Sequence, residues 1–209
     1  EVRRAAGEIL ERCDRIHALI HNAGAYFPGR RVEAGGLELH LALNHLAPFL
    51  LDGLLRDRVL ASAPARIVVV ASSAHAGGRI DPERLASDRE TRGLEAYSRS
   101  KLANVLFAAE LARRLAGTGV TVNALHPGYV DTRLGREGDP LRYFARRRLK
   151  GRGLPAPEAA AALVRLASAP ELEGITGKYF SQGVEAEPAP QARDMELAAR
   201  LWEASERLL

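Results

Sequence analysis

The chain has 209 residues, 46% of them hydrophobic, which is enough for one substantial core and gives no reason to require two domains. Its 30 lysines and arginines stand against 26 aspartates and glutamates, and the resulting +4 is mostly interspersed with acid, which argues against nucleic acid as the main partner. A single cysteine, Cys13, excludes an internal disulfide and suits a reducing, cytoplasmic setting, and no apolar run approaches the roughly 20 residues of a membrane span.

The opening EVRRAAGEILERC has helical spacing and is too charged for a signal segment. IHALIHNAG behind it reads as a short buried strand that Asn22 and Gly24 turn into a loop. A long helix is expected over residues 36–60, disturbed at Pro48, because proline lacks an amide and crowds the preceding turn. ARIVVVASS is the clearest strand, its β-branched run from Ile67 to Val70 suiting a strand covered on both faces. A polar loop over 74–93 follows, and Tyr97 is expected to open a helix whose apolar stripe runs from Leu102 to Ala112 and stops near Gly117.

VTVNAL is the next strand, and HPGYVDTRL turns away from it at Pro127 and Gly128. Beyond a basic segment lie an alanine-rich helix over 157–168, a short strand over 178–180 and a last helix over 192–209. Helix and strand alternate throughout, as right-handed crossovers of a parallel sheet require, so a single doubly wound α/β domain is predicted.

In such a sheet ligands bind at the carboxyl ends of the strands. Three strand ends carry candidate groups: His21 to Gly24, Ser72 with Ser73, and Pro127 to Val130. Tyr97 and Lys101 stand one helical turn apart on one face. A free phenol, with a pKa of about 10, is a poor base at neutral pH, and a neighbouring ammonium favours its phenolate. The pair is therefore a tunable proton donor and acceptor, and Ser73 could hold a substrate oxygen against it. Asn44, polar within the apolar LALNHLAPFLL, reads by itself as a buried, hydrogen-bonded amide.

The joint order of NAG after a strand, Asn in the next helix, SS, YxxxK and PG resembles the short-chain dehydrogenase/reductase family over nearly the whole chain. NHLAPFLL, YSRSKLANVLF, HPGYVDT, TGKYFSQ and LWEASE look closest to its retinol-dehydrogenase-like branch. The resemblance implies a Rossmann-like fold and an oxidoreductase moving hydride between NADP or NAD, NADP being slightly favoured, and a carbonyl or alcohol. It implies Tyr97 as general acid/base, with Lys101 lowering its pKa and bonding the nicotinamide ribose. Ser73, rather than Ser72, would orient the substrate oxygen, and Asn44 would hold a water joining Lys101 to solvent. Asn22, Ala23 and Gly24 would line the adenosine side of the cofactor, and the backbone of Pro127, Gly128 and Val130 would meet the nicotinamide.

The substrate would be a small carbonyl or alcohol molecule of lipophilic character, covered by a lid over about 131–153 that includes the basic RYFARRRLKGRG. No metal site is expected, since His75 and His126 lack further ligands at metal spacing. His21 stands where the family usually has Asn, and Ala47 where a Gly is frequent. No strand, glycine-rich turn and helix of the pyrophosphate-binding kind occurs in these residues, so the expectation is an N-terminally truncated domain lacking its first strands. The strand over 16–21 would then be a bare sheet edge, prone to self-association, and cofactor binding would be weak. A catalytically silent fragment or interaction module of the same fold is the competing reading.

Overall fold

The computed structural model describes residues 1–33, 35–86, 90–131, 134 and 153–209. A five-stranded sheet in the order β1-β2-β3-β4-β5 organises them. Its strands are β1 (Ala18–His21), β2 (Ala65–Val70), β3 (Val120–His126), β4 (Tyr179–Ser181) and β5 (Val184–Ala186). The first four are parallel, with Ile67 opposite Leu19 on one side and Val122 on the other; β5 returns antiparallel to β4.

Helices cover both faces, and the alternation of side chains along β2 shows why. Ile67 and Val69 enter a large core with residues of α1 (Val2–Arg12), α3 (Ala47–Leu60), α4 (Gly93–Arg114) and α6 (Met195–Glu206). Val68 points the other way and packs with Leu125, Phe180 and Leu166 of α5 (Ala156–Ser168). Trp202 of α6 closes the larger core, its ring centroid 4.7 Å from that of Phe49 and 5.9 Å from that of Phe107, with the guanidinium groups of Arg56 and Arg114 at 5.1 Å and 4.2 Å from the indole.

Several boundaries differ from expectation. The first strand, read as buried from its apolar run and expected at a sheet edge, stands at the edge among the described residues and is shorter than 16–21: Ala18 is exposed and Ile20 is 38% exposed, although Ile16 just before it lies in the core. The helix expected from residue 36 begins as α2 (Leu39–Leu41), widens into a π turn (Ala42–Leu46) and continues as α3. Pro48 has no amide to give the Asn44 carbonyl, and the Ala47 amide reaches back five residues to Ala42, so the disturbance falls just before the proline. Tyr97 does not open its helix: α4 begins at Gly93, and it ends at Arg114.

Where the sequence shows a single short strand over 178–180, β4 and β5 form a hairpin. Its two-residue turn places Gln182 at φ 52° and Gly183 at φ 83°, a conformation that Asn-Gly signals far more plainly than Gln-Gly. The expected lid over 131–153 lies outside the described residues except for Asp131, Leu134 and Gly153.

The short turn Ser73–Gly77 after β2 packs closely on α4. A Cβ at Gly78 would stand 2.6 Å from the Ser98 carbonyl oxygen and 2.9 Å from Leu102 Cβ. Gly78→Ala is therefore expected to cost about 1–3 kcal/mol, since a helix backbone must move to admit one methyl group. Denaturant titration checks this, and an unchanged midpoint would contradict the packing.

Candidate active site

The candidate residues converge at the carboxyl ends of β1, β2 and β3. Helix α4 crosses behind these ends with Tyr97 and Lys101 on one face. Lys101 Nζ donates to the carbonyl of Val70, the last residue of β2, at 3.0 Å and lies 5.8 Å from the centroid of the Tyr97 ring. Asn104 Nδ2, one turn further along, donates to the same carbonyl at 3.2 Å. Two side chains thus fasten α4 to the strand end that leads into Ser72 and Ser73.

Lys101 is only 4% exposed, and burial lowers its pKa to about 8. Its folded value lies below the unfolded one, so the penalty of burying the ammonium is full below pH 8 and is relieved as pH rises toward 10.5. Lys101→Met keeps the aliphatic stem and leaves Asn104 on the Val70 carbonyl. The substitution is expected to stabilise the fold by about 1–3 kcal/mol at pH 7, a gain that shrinks above pH 8. Paired denaturant titrations at pH 7 and pH 10 test it, and a loss of stability at pH 7 would contradict it.

Asn44 lies wholly buried beneath the cleft. The amide of Ala25 donates to its Oδ1 at 2.8 Å, and its Nδ2 donates to the Ala25 carbonyl and to Ser100 Oγ, both at 3.0 Å. Ser100 in turn donates to the Tyr97 carbonyl at 2.7 Å. Asn44 therefore ties the loop after β1 to the helical turn that carries the Tyr97 and Lys101 pair. A Cβ at Gly24 would stand 3.3 Å from Asn44 Oδ1 and 3.4 Å from Lys101 Nζ, so the missing side chain keeps that side of the ammonium clear.

An open cleft of about 1150 Å³ gathers most of the remaining candidates. Asn22 and Gly24 line it from β1, and exposed Ala23 lies between them. The two serines differ in their surroundings. Ser72 Oγ accepts the Ala74 amide and caps the short turn, whereas Ser73 is exposed at the cleft wall.

Pro127, Gly128 and Val130 also line the cleft, after β3. Gly128 has φ +90°, and a Cβ there would meet Leu154 at 2.6 Å and Gln182 at 3.1 Å, so the turn admits only glycine without rearrangement. Val130 forms a parallel bridge with Leu154, which closes the base of the segment read as a lid. Of the two histidines noted beside the site, His126 lines the cleft. His75 instead joins the Ser72 carbonyl to the Ala189 amide, at 2.7 Å and 3.0 Å.

Sequence reasoning did not identify Ser100 or Asn104. A serine or asparagine inside a helix has no local signal for a tertiary role, and their partners lie 56 and 34 residues away. The short chain dehydrogenase family model matches residues 1–140.

The chain belongs to that family. It is similar to human retinol dehydrogenase 13, with 42% identity over 214 residues that take in 100% of this chain and 65% of the relative. The chain thus spans less than two thirds of that relative's length. Among solved structures, the 3-alpha-hydroxysteroid dehydrogenase of Pseudomonas sp. B-0831 complexed with NADH has a TM-score of 0.69 at 26% identity, over 87% of this chain and 78% of that one. The RhlG/NADP active-site complex of Pseudomonas aeruginosa has a TM-score of 0.67 at 27% identity, over 87% and 71%. Family membership accounts for the parallel sheet and for the placement of the Tyr97 and Lys101 helix behind its strand ends.

Proposed function

We propose that the chain serves an oxidoreductase that uses NAD or NADP to interconvert a carbonyl compound and an alcohol. The observation that carries this reading is the buried Lys101 ammonium, anchored on the Val70 carbonyl beside the Tyr97 ring and open toward side-chain-less Gly24. A nicotinamide cofactor suits the residues present: Gly24 leaves one side of the ammonium open, and Lys101 has N–H groups beyond the one that Val70 takes. When bound, the cofactor supplies or accepts the hydride.

The chain's own residues manage the proton and the substrate oxygen. Tyr97 donates its phenolic proton to the oxygen of a carbonyl undergoing reduction, and takes a proton from an alcohol in the reverse direction. Lys101 favours the phenolate that this leaves. Ser73, exposed in the same cleft, donates a hydrogen bond to the same oxygen and orients it. Asn44 holds the loop and the helix in register through Ala25 and Ser100.

Leu94, Leu163 and Ala159 give the cleft apolar walls, which favour a lipophilic substrate over a sugar or a charged acid. The names of the NADH and NADP complexes among related structures leave both cofactors in play. No helix among the described residues is long and apolar enough to cross a membrane. The test is cofactor-dependent turnover of aldehydes and ketones, followed by the absorbance of the reduced nicotinamide, in the parent and in Tyr97→Phe. Turnover that survives the substitution would reject the assignment.

A further inference from the structure

The loop after β1 is held at alternate residues by two side chains one helical turn apart. Asn44 takes both backbone groups of Ala25, and His40 Nε2 accepts the amide of Phe27 at 2.9 Å. Between these anchors stands Tyr26, whose ring meets the Tyr97 ring edge-on at 5.6 Å. The fully buried His40 ring is itself 6.1 Å from Tyr97 and 5.8 Å from Tyr26. The two rings form the wall on which the Tyr97 phenol lies.

The orientation of that wall has a definite origin. The Phe27 amide can only donate, so His40 Nε2 is bare and the ring carries its proton on Nδ1. Nδ1 donates to Glu38 Oε1 at 2.7 Å. The Glu38 carboxylate also accepts the amides of His40 and Leu41, each at 3.0 Å, and the Arg99 guanidinium lies 3.9 Å away. Burial works against this carboxylate, yet the His40 ring and the two amides outweigh it and hold its carboxyl below the ordinary range. A buried anion with acceptors only thus fixes the tautomer, the tautomer fixes the loop, and the loop fixes the phenol.

We propose that Glu38 and His40 are positioning residues for Tyr97, acting through the Phe27 amide and the Tyr26 ring. The inference rests on the reading of Tyr97 as the acid/base group. It gives a role to a buried, charge-assisted hydrogen bond that the proton transfer itself does not use. The titratable groups facing His40 from the elements packed around it are Glu38, Tyr26 and Tyr97, and Arg99 faces the far oxygen of Glu38.

Two substitutions change the tautomer or remove the acceptor, and a third restores it. Glu38→Gln matches the parent in size but has a single oxygen: with that oxygen on the Leu41 amide, its –NH2 takes the place of Oε1, gives up the His40 amide and turns an N–H toward Nδ1, which drives the proton to Nε2, opposite the Phe27 amide. His40→Leu leaves that amide with no acceptor, whereas His40→Gln places a carbonyl oxygen where Nε2 stood. The readouts are the ultraviolet phenolate titration of Tyr97, taken as the difference between each chain and its Tyr97→Phe counterpart, and hydrogen exchange at the Phe27 amide.

In Glu38→Gln and His40→Leu the phenol, displaced from Lys101, should titrate about one pKa unit higher, and the amide should exchange about tenfold or more faster. His40→Gln should restore both toward the parent. A Tyr97 titration unmoved in Glu38→Gln would overturn the proposal, and that isosteric variant decides the matter if His40→Leu fails to fold. Failure of the acid/base reading would show separately, as turnover surviving Tyr97→Phe.

Discussion

Tyr97→Phe is expected to lower kcat/KM by about 10²–10⁴ while leaving the stability of the fold nearly unchanged. Phenylalanine keeps the ring, and with it the edge contacts to Tyr26 and His40 and the approach of Lys101 Nζ. What disappears is the one oxygen that can give a proton to the substrate. The cleft walls and the Lys101 anchor at Val70 are untouched, so cofactor affinity should stay within about a factor of three of the parent.

Lys101→Met supplies a contrast that a general disruption of the site would not produce. It should lose turnover and cofactor affinity together, because one ammonium serves phenol and ribose, yet gain stability because burial penalises its charge. Initial rates with a matched cofactor titration separate the two variants. Retention of most of the parental rate in Tyr97→Phe would remove the phenol from the mechanism.

The parts of this site legible in sequence are those set by local periodicity. The β-branched Ile67 to Val70 run forms β2, and the four-residue spacing places Tyr97 and Lys101 on one face of α4. The strand alternation likewise announced a parallel sheet, and the edge position of β1 was legible only through the family resemblance, since its own apolar run reads as buried. What could not be read were hydrogen bonds between residues distant in the chain. Asn44 is an example: the amide expected to be satisfied finds its partners in Ala25 and Ser100, which only the packing of loop against helix brings together.

Glu38 and His40 were passed over for the same reason. Their side chains interrupt an otherwise ordinary helix start, and the Phe27 amide that gives them meaning lies 13 residues from His40. The π turn was half legible. Pro48 signals a disturbance, but whether the helix kinks or widens depends on the surrounding packing.

Acid is expected to destabilise the protein at pH values where ordinary surface carboxylates are still ionised. Burial lowers the pKa of His21 and of His45 from 6.5 to about 4. Both imidazoles are then neutral when folded, but they charge readily in the unfolded chain. The unfolded state binds more protons between pH 6.5 and 4, so stability falls as pH falls across that window and the effect levels off below it. Each group contributes roughly 3 kcal/mol, so the two together remove about 6 kcal/mol from a net stability on the order of 5–15 kcal/mol.

His75 and His126 shift the same way, chiefly through burial. Glu38 and Glu110 are held below the ordinary carboxylate range, so their losses begin only at lower pH. Buried Asp52 works in the opposite sense: burial raises its carboxyl despite Arg56, and acid relieves that penalty. The histidines dominate because their window opens first and their shifts add. Denaturant titrations from pH 7 to pH 4.5 should show the midpoint falling continuously. His21→Leu, which removes an imidazole whose Nε2 is buried without a hydrogen-bond partner, should flatten about half of the fall attributed to the pair. A midpoint constant across this range would mean that the imidazoles titrate in the folded chain as they do in water.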